Sequence, residues 1–408
     1  MAVTADGRVA ITGLGLITAH GVGTRLNWER TAAGVSSLRP PTLFDAGRYR
    51  ARQAGEVPAL PQVAWRRFRK ERADRASVLL YHATAEALAE AALPGGAWAP
   101  GRAVVILGTS LGGMAAGERY HAAYLRKGPD RGRASCTLDH LAHAQPLHVL
   151  AEFGIRLVPA VLANACASGA NAIGHAFRAI RQGRAELALC GGYDPLCEFA
   201  FAGFHALQAL TAERCRPFDR ARSGLAIGEG AAILVLEAWA RATGRGAPIL
   251  GEVLGYGESN DAFHVTRPDP SGQAAARAVQ RALADAGLAP ETIGYVNAHG
   301  TGTPFNDAAE SAALLTALGP HGGAVPLSST KAMIGHMLGA AGAGEAILSL
   351  LALRAGTLPP NLNYEQPDPA CRLHVLREAE PSTARVALSN SFGFGGANAA
   401  LLLGRGEA

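Results

Sequence analysis

Cysteine is scarce in this sequence, and none of its six copies is placed to act with another. Cys136, Cys166, Cys190, Cys197, Cys215 and Cys371 form no C-x-x-C pair. Neither a zinc ribbon nor a disulfide framework is expected, and a reducing cytoplasm suits the chain. H-E-x-x-H is absent as well, which removes the common zinc-protease site. Charge is thin: 17% of residues are Asp, Glu, Lys or Arg, with a net of +5. That excess is too small to be the electrostatic footprint of a nucleic-acid binder. No apolar run is long and smooth enough to suggest a membrane span. The opening "MAVTADGRVAITG" runs straight into a strand pattern, without the layout of a secretory leader. Gly13 and Gly15 begin a dinucleotide fingerprint, but Thr18 stands where the third glycine belongs.

Glycine, by contrast, is plentiful: 50 of the 408 residues, against a usual share of about 7%. Tight turns and close backbone approaches are expected. Hydrophobic residues make up 49%, so the chain is globular, and its length exceeds one ordinary core. "RVAITGLGLITAHG" reads as a strand and glycine turn, "RAVVILGTSLGGM" as a buried strand with a glycine exit, and "AELALCGG" as another strand. Between them, Ile173, Ala176, Phe177 and Ile180 fall at i, i+3, i+4 and i+7, one apolar helical face stopped by Gly183. "RATGRGAP" (241–248) is a candidate junction. After it the pattern resumes: "GQAAARAVQRALADAG" as a helix, "IGYVNAHG" as a strand, "AMIGHMLGAAGAGEAILSLLAL" as one small-residue helix, and "RVALSNSFGFGGANAALLL" as strand, glycine loop and strand. Two echoing halves, 1–245 and 246–408, imply a mixed α/β fold built as a tandem repeat.

Cys166, in "NACASGANAIG", sits at a strand-to-helix turn. Free N–H groups and the helix dipole there favour a thiolate. Ala165, Ala167, Ser168, Gly169 and Ala170 leave space for a substrate, and the turn aims a backbone N–H at a developing oxyanion. His299 follows a strand in a glycine loop. Lys331 and His336 lie five apart, with Glu345 beyond. Any one of these is more often a core residue than a catalyst; together on glycine-rich loops they read as a site. Basic residues cluster at Arg66, Arg67, Arg69, Lys70, Arg72 and Arg75, and again around Arg131. Such runs are solvated faces or docks for an acidic partner.

Four segments, "NACASGANAIGHA", "NAHGTGTPFNDAAE", "STKAMIGHMLGAAG" and "NSFGFGGANA", resemble in order the elongating β-ketoacyl-[acyl-carrier-protein] synthases of the thiolase-like superfamily. The likeness runs nearly end to end. "RPFDRARSGLAIGEGAAILVLE" and "SNDAFHVTRP" add to it. The resemblance implies a five-layered α/β/α/β/α fold, a homodimer or close heterodimer, and a partner acyl carrier protein whose phosphopantetheine arm delivers the substrates, with no cofactor besides. It implies that Cys166 takes the acyl chain and that His299 and His336 stabilise the enolate formed by decarboxylation of malonyl-carrier protein. Phe394 would share the oxyanion hole through its backbone and gate the pocket. Lys331 would order the site with Glu345. Thr301, Thr303 and Thr266 would contact the arm or substrate, and Leu111 and Phe204 would line the acyl pocket or its dimer-side wall. The basic runs would dock the carrier protein.

Asn164 stands where the family usually has Thr, and "GGYDPLCEFAFAGFHALQAL" differs from the commonest fatty-acid versions. A ketosynthase subunit of a type II polyketide or specialised-lipid system is therefore the natural rival. A non-condensing chain-length-factor subunit would lack the nucleophile. A thiolase would need a second cysteine, which "SFGFGGAN" does not supply.

Overall fold

The computed structural model describes residues 7–67, 73–94, 96–128 and 135–406. The first half carries strands β1 (Val9–Thr18), β2 (Ala103–Gly108), β3 (Ala160–Leu162), β4 (Leu187–Asp194) and β5 (Gly230–Ala238). The second carries β6 (Gly251–Asn260), β7 (Tyr295–Asn297), β8 (Pro326–Ser328), β9 (His374–Val375), β10 (Val386–Phe392) and β11 (Ala397–Arg405). Their spatial order is β9-β8-β7-β10-β11-β6-β1-β5-β4-β2-β3. Five strands of each half correspond, and β9 is an addition at the edge of the second. β2 runs parallel to β3 and β4, and β5 is antiparallel to β4 and β1. Likewise β7 runs parallel to β8 and β10, and β11 is antiparallel to β10 and β6. β1 and β6 meet through Val9–Ile11 alone. The repeat that is faint in letters is thus explicit in pairing.

Helices complete the layers. α1 (Arg75–Ala91) covers the outer face of β1 and β5. α3 (Ser168–Arg181) and α6 (Ala341–Ala355) pack together between the two sheets, with α2 (Met114–Lys127) at one side. α4 (Gln273–Ala286) and α5 (Pro304–Leu318) cover the second sheet from outside. Each sheet is therefore buried on both faces, and β1 and β5 are buried at every position, as strands between two helical layers must be. In α3, Ile173, Ala176, Phe177 and Ile180 all enter the central core, and the chain turns out at Gly183 in a left-handed conformation. α6 is apolar nearly all round because protein surrounds it. The stretch Leu338–Ala355 is long and apolar enough to cross a membrane, yet most of it lies inside the core.

One expectation changes. "AMIGHMLGAAGAGEAILSLLAL" is not one helix. A short turn at Lys331–Ile334 breaks at Gly335 (φ 79°), and α6 starts only at Ala341. Leu338, at φ 53°, turns the chain again. Gly13 and Gly15 serve packing rather than a phosphate. A β-carbon on Gly13 would lie 2.2 Å from the Ala87 carbonyl oxygen, and one on Gly15 would lie 1.9 Å from that of Ala83. The first strand therefore rests directly on α1. The Leu14 and Leu16 amides donate to the Glu90 and Glu86 carboxylates of that helix.

Because the helix backbone cannot retreat, Gly15→Ala should destabilise the protein by about 2–3 kcal/mol through overpacking. Gly203→Ala, whose β-carbon meets nothing within 4 Å, should be neutral or slightly stabilising in its helix. Urea unfolding of both variants checks this pair.

Candidate active site

The nucleophile turn is built from small residues under constraint. After β3 the chain reaches Ala165 at φ 55°, a left-handed conformation that costs an L-residue of order 1 kcal/mol. Ser168 braces it: its hydroxyl donates to the Ala165 carbonyl at 2.6 Å and accepts from the Asn164 amide at 3.0 Å. Cys166 occupies the following 3₁₀ turn, immediately before α3, and is 6% exposed. Gly108 lets β2 press on this turn, since a β-carbon there would lie 2.3 Å from the Ser168 carbonyl carbon.

The second half supplies the partners. The break at Gly335 leaves His336 extended. Its amide donates to the Ala226 carbonyl at 2.7 Å and its carbonyl accepts from the Gly228 amide at 2.8 Å. So pinned, His336 places Nε2 3.0 Å from Cys166 Sγ. His299 lies edge-on to it, ring centroids 5.3 Å apart. Glu310 of α5 fixes the His299 loop by accepting the His299 and Gly300 amides, each at 2.8 Å. Asn390 steadies Glu310 at 3.1 Å. Lys331 is fully buried and forms an ion pair with Glu345.

These surroundings set the protonation states. Burial, then the Lys331 ammonium, hold both imidazoles well below their usual value; His336 lowers His299 further. Both are neutral at pH 7, and each keeps a buried Nδ1 with no hydrogen-bond partner among the described residues. Burial pushes the Cys166 thiol up to about 12, against the opposing pull of Lys331 and a hydrogen bond from the Phe394 amide. The helix N-terminus expected to favour a thiolate is present, but desolvation outweighs it. The resting group is a thiol whose proton has one neighbouring acceptor, His336. One donor atom each from Cys166, His299 and His336 lie within 4.8 Å of one another, a spacing that suits a soft divalent ion. A resident cation there would face the Lys331 ammonium, which argues against it.

A cavity of about 440 Å³ leads to this centre. Cys166, His299, His336, Thr301, Thr303, Thr266, Phe204 and Phe394 all line it. Phe204 stacks on Phe394 with centroids 5.7 Å apart, closing one side. Thr301 and Thr303 share a hydroxyl hydrogen bond of 2.9 Å, and Thr303 caps α5. Leu111 packs in a side cluster with Phe201 and Leu338, against which Phe204 packs as well. Two assignments are corrected. Glu345 does not reach substrate space, because Lys331 holds it in the core. Arg75 is no docking residue: it turns inward to pair with buried Glu229. Arg66 and Arg67 are exposed, their amides held by Glu152 at 2.9 and 2.6 Å. Arg69, Lys70, Arg72 and Arg131 lie outside the described residues.

Sequence reasoning passed over Asp194 and the role of Glu310. Buried Asp194 accepts from the Thr109 hydroxyl at 2.5 Å and from the Ser110, Leu111 and Gly339 amides at 2.9, 2.8 and 2.6 Å. An acidic residue ending a wholly buried strand was the available signal. The stretch Gly108–Gly112 also fits the G-x-S-x-G spacing of serine hydrolases. Ser110 lies outside the cavity with its amide on Asp194, so that match carries no chemistry.

Two sheets sandwiching a helix layer, with the nucleophile turn opening the central helix, define the thiolase-like class of enzyme. Within it, this chain belongs to the β-ketoacyl synthase family: the family's N-terminal domain profile matches residues 6–242 and its C-terminal domain profile residues 250–365. It is 38% identical over 403 residues to the 3-oxoacyl-[acyl-carrier-protein] synthase 2 of Synechocystis sp., covering 97% of each chain. It is 36% identical over 410 residues to the synthase of the same name from Staphylococcus aureus, covering 98% of this chain and 99% of that one. Among solved structures, the ishigamide ketosynthase/chain length factor superposes with a TM-score of 0.93 at 36% identity, over 98% of this chain and 99% of that one. A type II polyketide ketosynthase in complex with its acyl-carrier protein gives 0.89 at 30% identity, with the same coverage.

The neutral histidines make a pH prediction. Unfolded histidine titrates near 6.5, so below that pH the unfolded chain binds protons that buried His299 and His336 refuse. Stability should fall as pH drops through about 6.5, by up to about 1.4 kcal/mol per pH unit for each histidine. Urea midpoints between pH 7 and 5 should decline less steeply in a His299→Gln/His336→Gln variant.

Proposed function

We propose that this chain is a 3-oxoacyl-[acyl-carrier-protein] synthase acting by decarboxylative Claisen condensation. The observation that carries the reading is the 3.0 Å contact between Cys166 Sγ and neutral His336 Nε2. First, Cys166 loses its proton to His336 and attacks the acyl thioester; the carrier-protein thiol leaves and takes up that proton. The Phe394 amide, already on Cys166 Sγ, and the Cys166 amide stabilise the tetrahedral oxyanion. Malonyl-carrier protein then enters. Its thioester oxygen accepts hydrogen bonds from His299 and His336, its C–C bond breaks, and carbon dioxide leaves an enolate. The enolate carbon attacks the acyl-Cys166 carbonyl, expelling the Cys166 thiolate, which takes a proton from solvent to restore the resting thiol, and forming the 3-oxoacyl-carrier protein. Neutral donors suit this step, since a strong acid would protonate the enolate carbon. Thr301, Thr303 and Thr266 hold the prosthetic arm, Lys331 and Glu345 set the field around the histidines, and no metal or cofactor takes part.

The site needs residues from both stretches 1–245 and 246–408, so the halves act as one unit. Edge strand β3, with Val158 beside it 90% exposed, supports a dimer through that side. A second reading, a type II polyketide ketosynthase working with a homologous subunit, is favoured by the likeness to the ishigamide ketosynthase/chain length factor. The described cysteines are free thiols, consistent with a cytoplasmic enzyme.

His299→Ala removes one donor from the decarboxylation transition state and leaves His336 in place to take the Cys166 proton. The variant should still accept an acyl chain, but release carbon dioxide at least ~100-fold more slowly. Intact mass reads the first half-reaction and trapped carbon dioxide the second; lost acylation with intact decarboxylation would reverse the assigned roles. Arg66→Glu/Arg67→Glu should weaken use of carrier-protein donors and flatten its salt dependence, while sparing a small thioester donor. Steady-state kinetics with both donors at two ionic strengths tests this.

A further inference from the structure

The outer end of the cavity holds a cation with no assigned work. Burial gives the cavity its direction: Cys166, His299 and His336 at one end are almost inaccessible, whereas Arg267 and Phe305 at the other are exposed, Phe305 by 55%. The Arg267 guanidinium lies over the Phe305 ring, 4.7 Å from its centroid. Other arginines nearby are committed: Arg222 to Asp368 and Asp307, Arg214 and Arg216 to Glu365. Among the described residues Arg267 forms no ion pair. Among the described lining residues the one acid, Asp261, accepts the Phe263 and Asp269 amides at 3.0 and 3.1 Å.

We propose that Arg267, seated on Phe305, binds the phosphate of the substrate's phosphopantetheine arm at the cavity mouth. This rests on the carrier-protein reading given above. Stacking on an aromatic face fixes the plane of a guanidinium while leaving its N–H fork open, and that fork matches two oxygens of a phosphate. The inner cavity offers the arm hydroxyls and neutral imidazoles, and none of these neutralises an anion. An anionic group that must stay outside while the thioester reaches Cys166 therefore finds its counter-charge in Arg267. The role is binding and register, so it belongs in KM rather than in kcat.

The test uses the full-length protein and three acyl donors: an acyl-pantetheine without phosphate, the same thioester as acyl-4′-phosphopantetheine, and the acyl carrier protein. In the unaltered enzyme the phosphorylated small donor should have the lower KM for acylating Cys166, followed by intact mass. Arg267→Gln should raise the KM of both phosphate-bearing donors on the order of ten-fold, the usual scale for a hydrogen bond to a charged group. It should leave acyl-pantetheine unchanged. Arg267→Lys should restore part of the loss, and Phe305→Leu should lose less than Arg267→Gln, since it removes the platform and keeps the charge. Equal loss with all donors, or no preference for phosphate in the unaltered enzyme, overturns the proposal. If the carrier protein alone responds to Arg267→Gln, the residue meets the carrier's surface and not the phosphate. Failure of every donor to acylate Cys166 in the unaltered enzyme would instead count against the function proposed above.

Discussion

Asp194 is the point on which the site depends. Its carboxylate ends β4 in full burial and gathers a hydroxyl and two amides from the exit of β2, in the first half, and the Gly339 amide from the second. Gly339 follows His336 by three residues, so this one group ties the nucleophile's sheet to the histidine's loop. The approach requires glycine: a β-carbon on Gly339 would lie 2.6 Å from the Ser110 amide nitrogen, and one on Gly169 2.7 Å from the Gly339 carbonyl oxygen. Burial raises the Asp194 carboxyl only to about 6, because its four hydrogen bonds oppose the desolvation. It therefore remains ionised at neutral pH and accepts all four.

The same economy of polar groups governs the reacting centre. Nearly everything around Cys166 is small, apolar or neutral, and the charged pair Lys331–Glu345 stands behind the histidines rather than in the cavity. Desolvation pushes the Glu345 carboxyl up to about 7 while Lys331 pulls it down. The pair thus biases the imidazoles toward neutrality without offering a strong acid to the enolate. An isolated ammonium in that position would be severely penalised; with Glu345 beside it, its field reaches both histidines and the thiol.

Local signals served well where a segment's neighbours in sequence are also its neighbours in space. α3 was readable because its apolar period faces one core, and the turn at Cys166 because small residues crowd a strand–helix junction. The Ala332–Leu353 stretch misled because its many Ala and Leu residues favour a helix, while the break at Gly335 answers to a remote demand. There the His336 backbone pairs with the segment around Ile227, in the other half.

By itself, the sequence determined the kind of fold and the chemical identity of the centre: alternating buried strands and helices, one accessible-looking cysteine, two histidines in glycine loops. Tertiary structure decided what those groups are. Whether a thiol is ionised, whether an imidazole carries a proton, and whether Arg75 faces water or Glu229 are fixed by burial and by the charges that folding brings beside each group. Cys166 and His336 stand 170 residues apart and 3.0 Å apart. Two glycine-lined helix starts and one buried carboxylate close that gap, and no local pattern encodes such a distance.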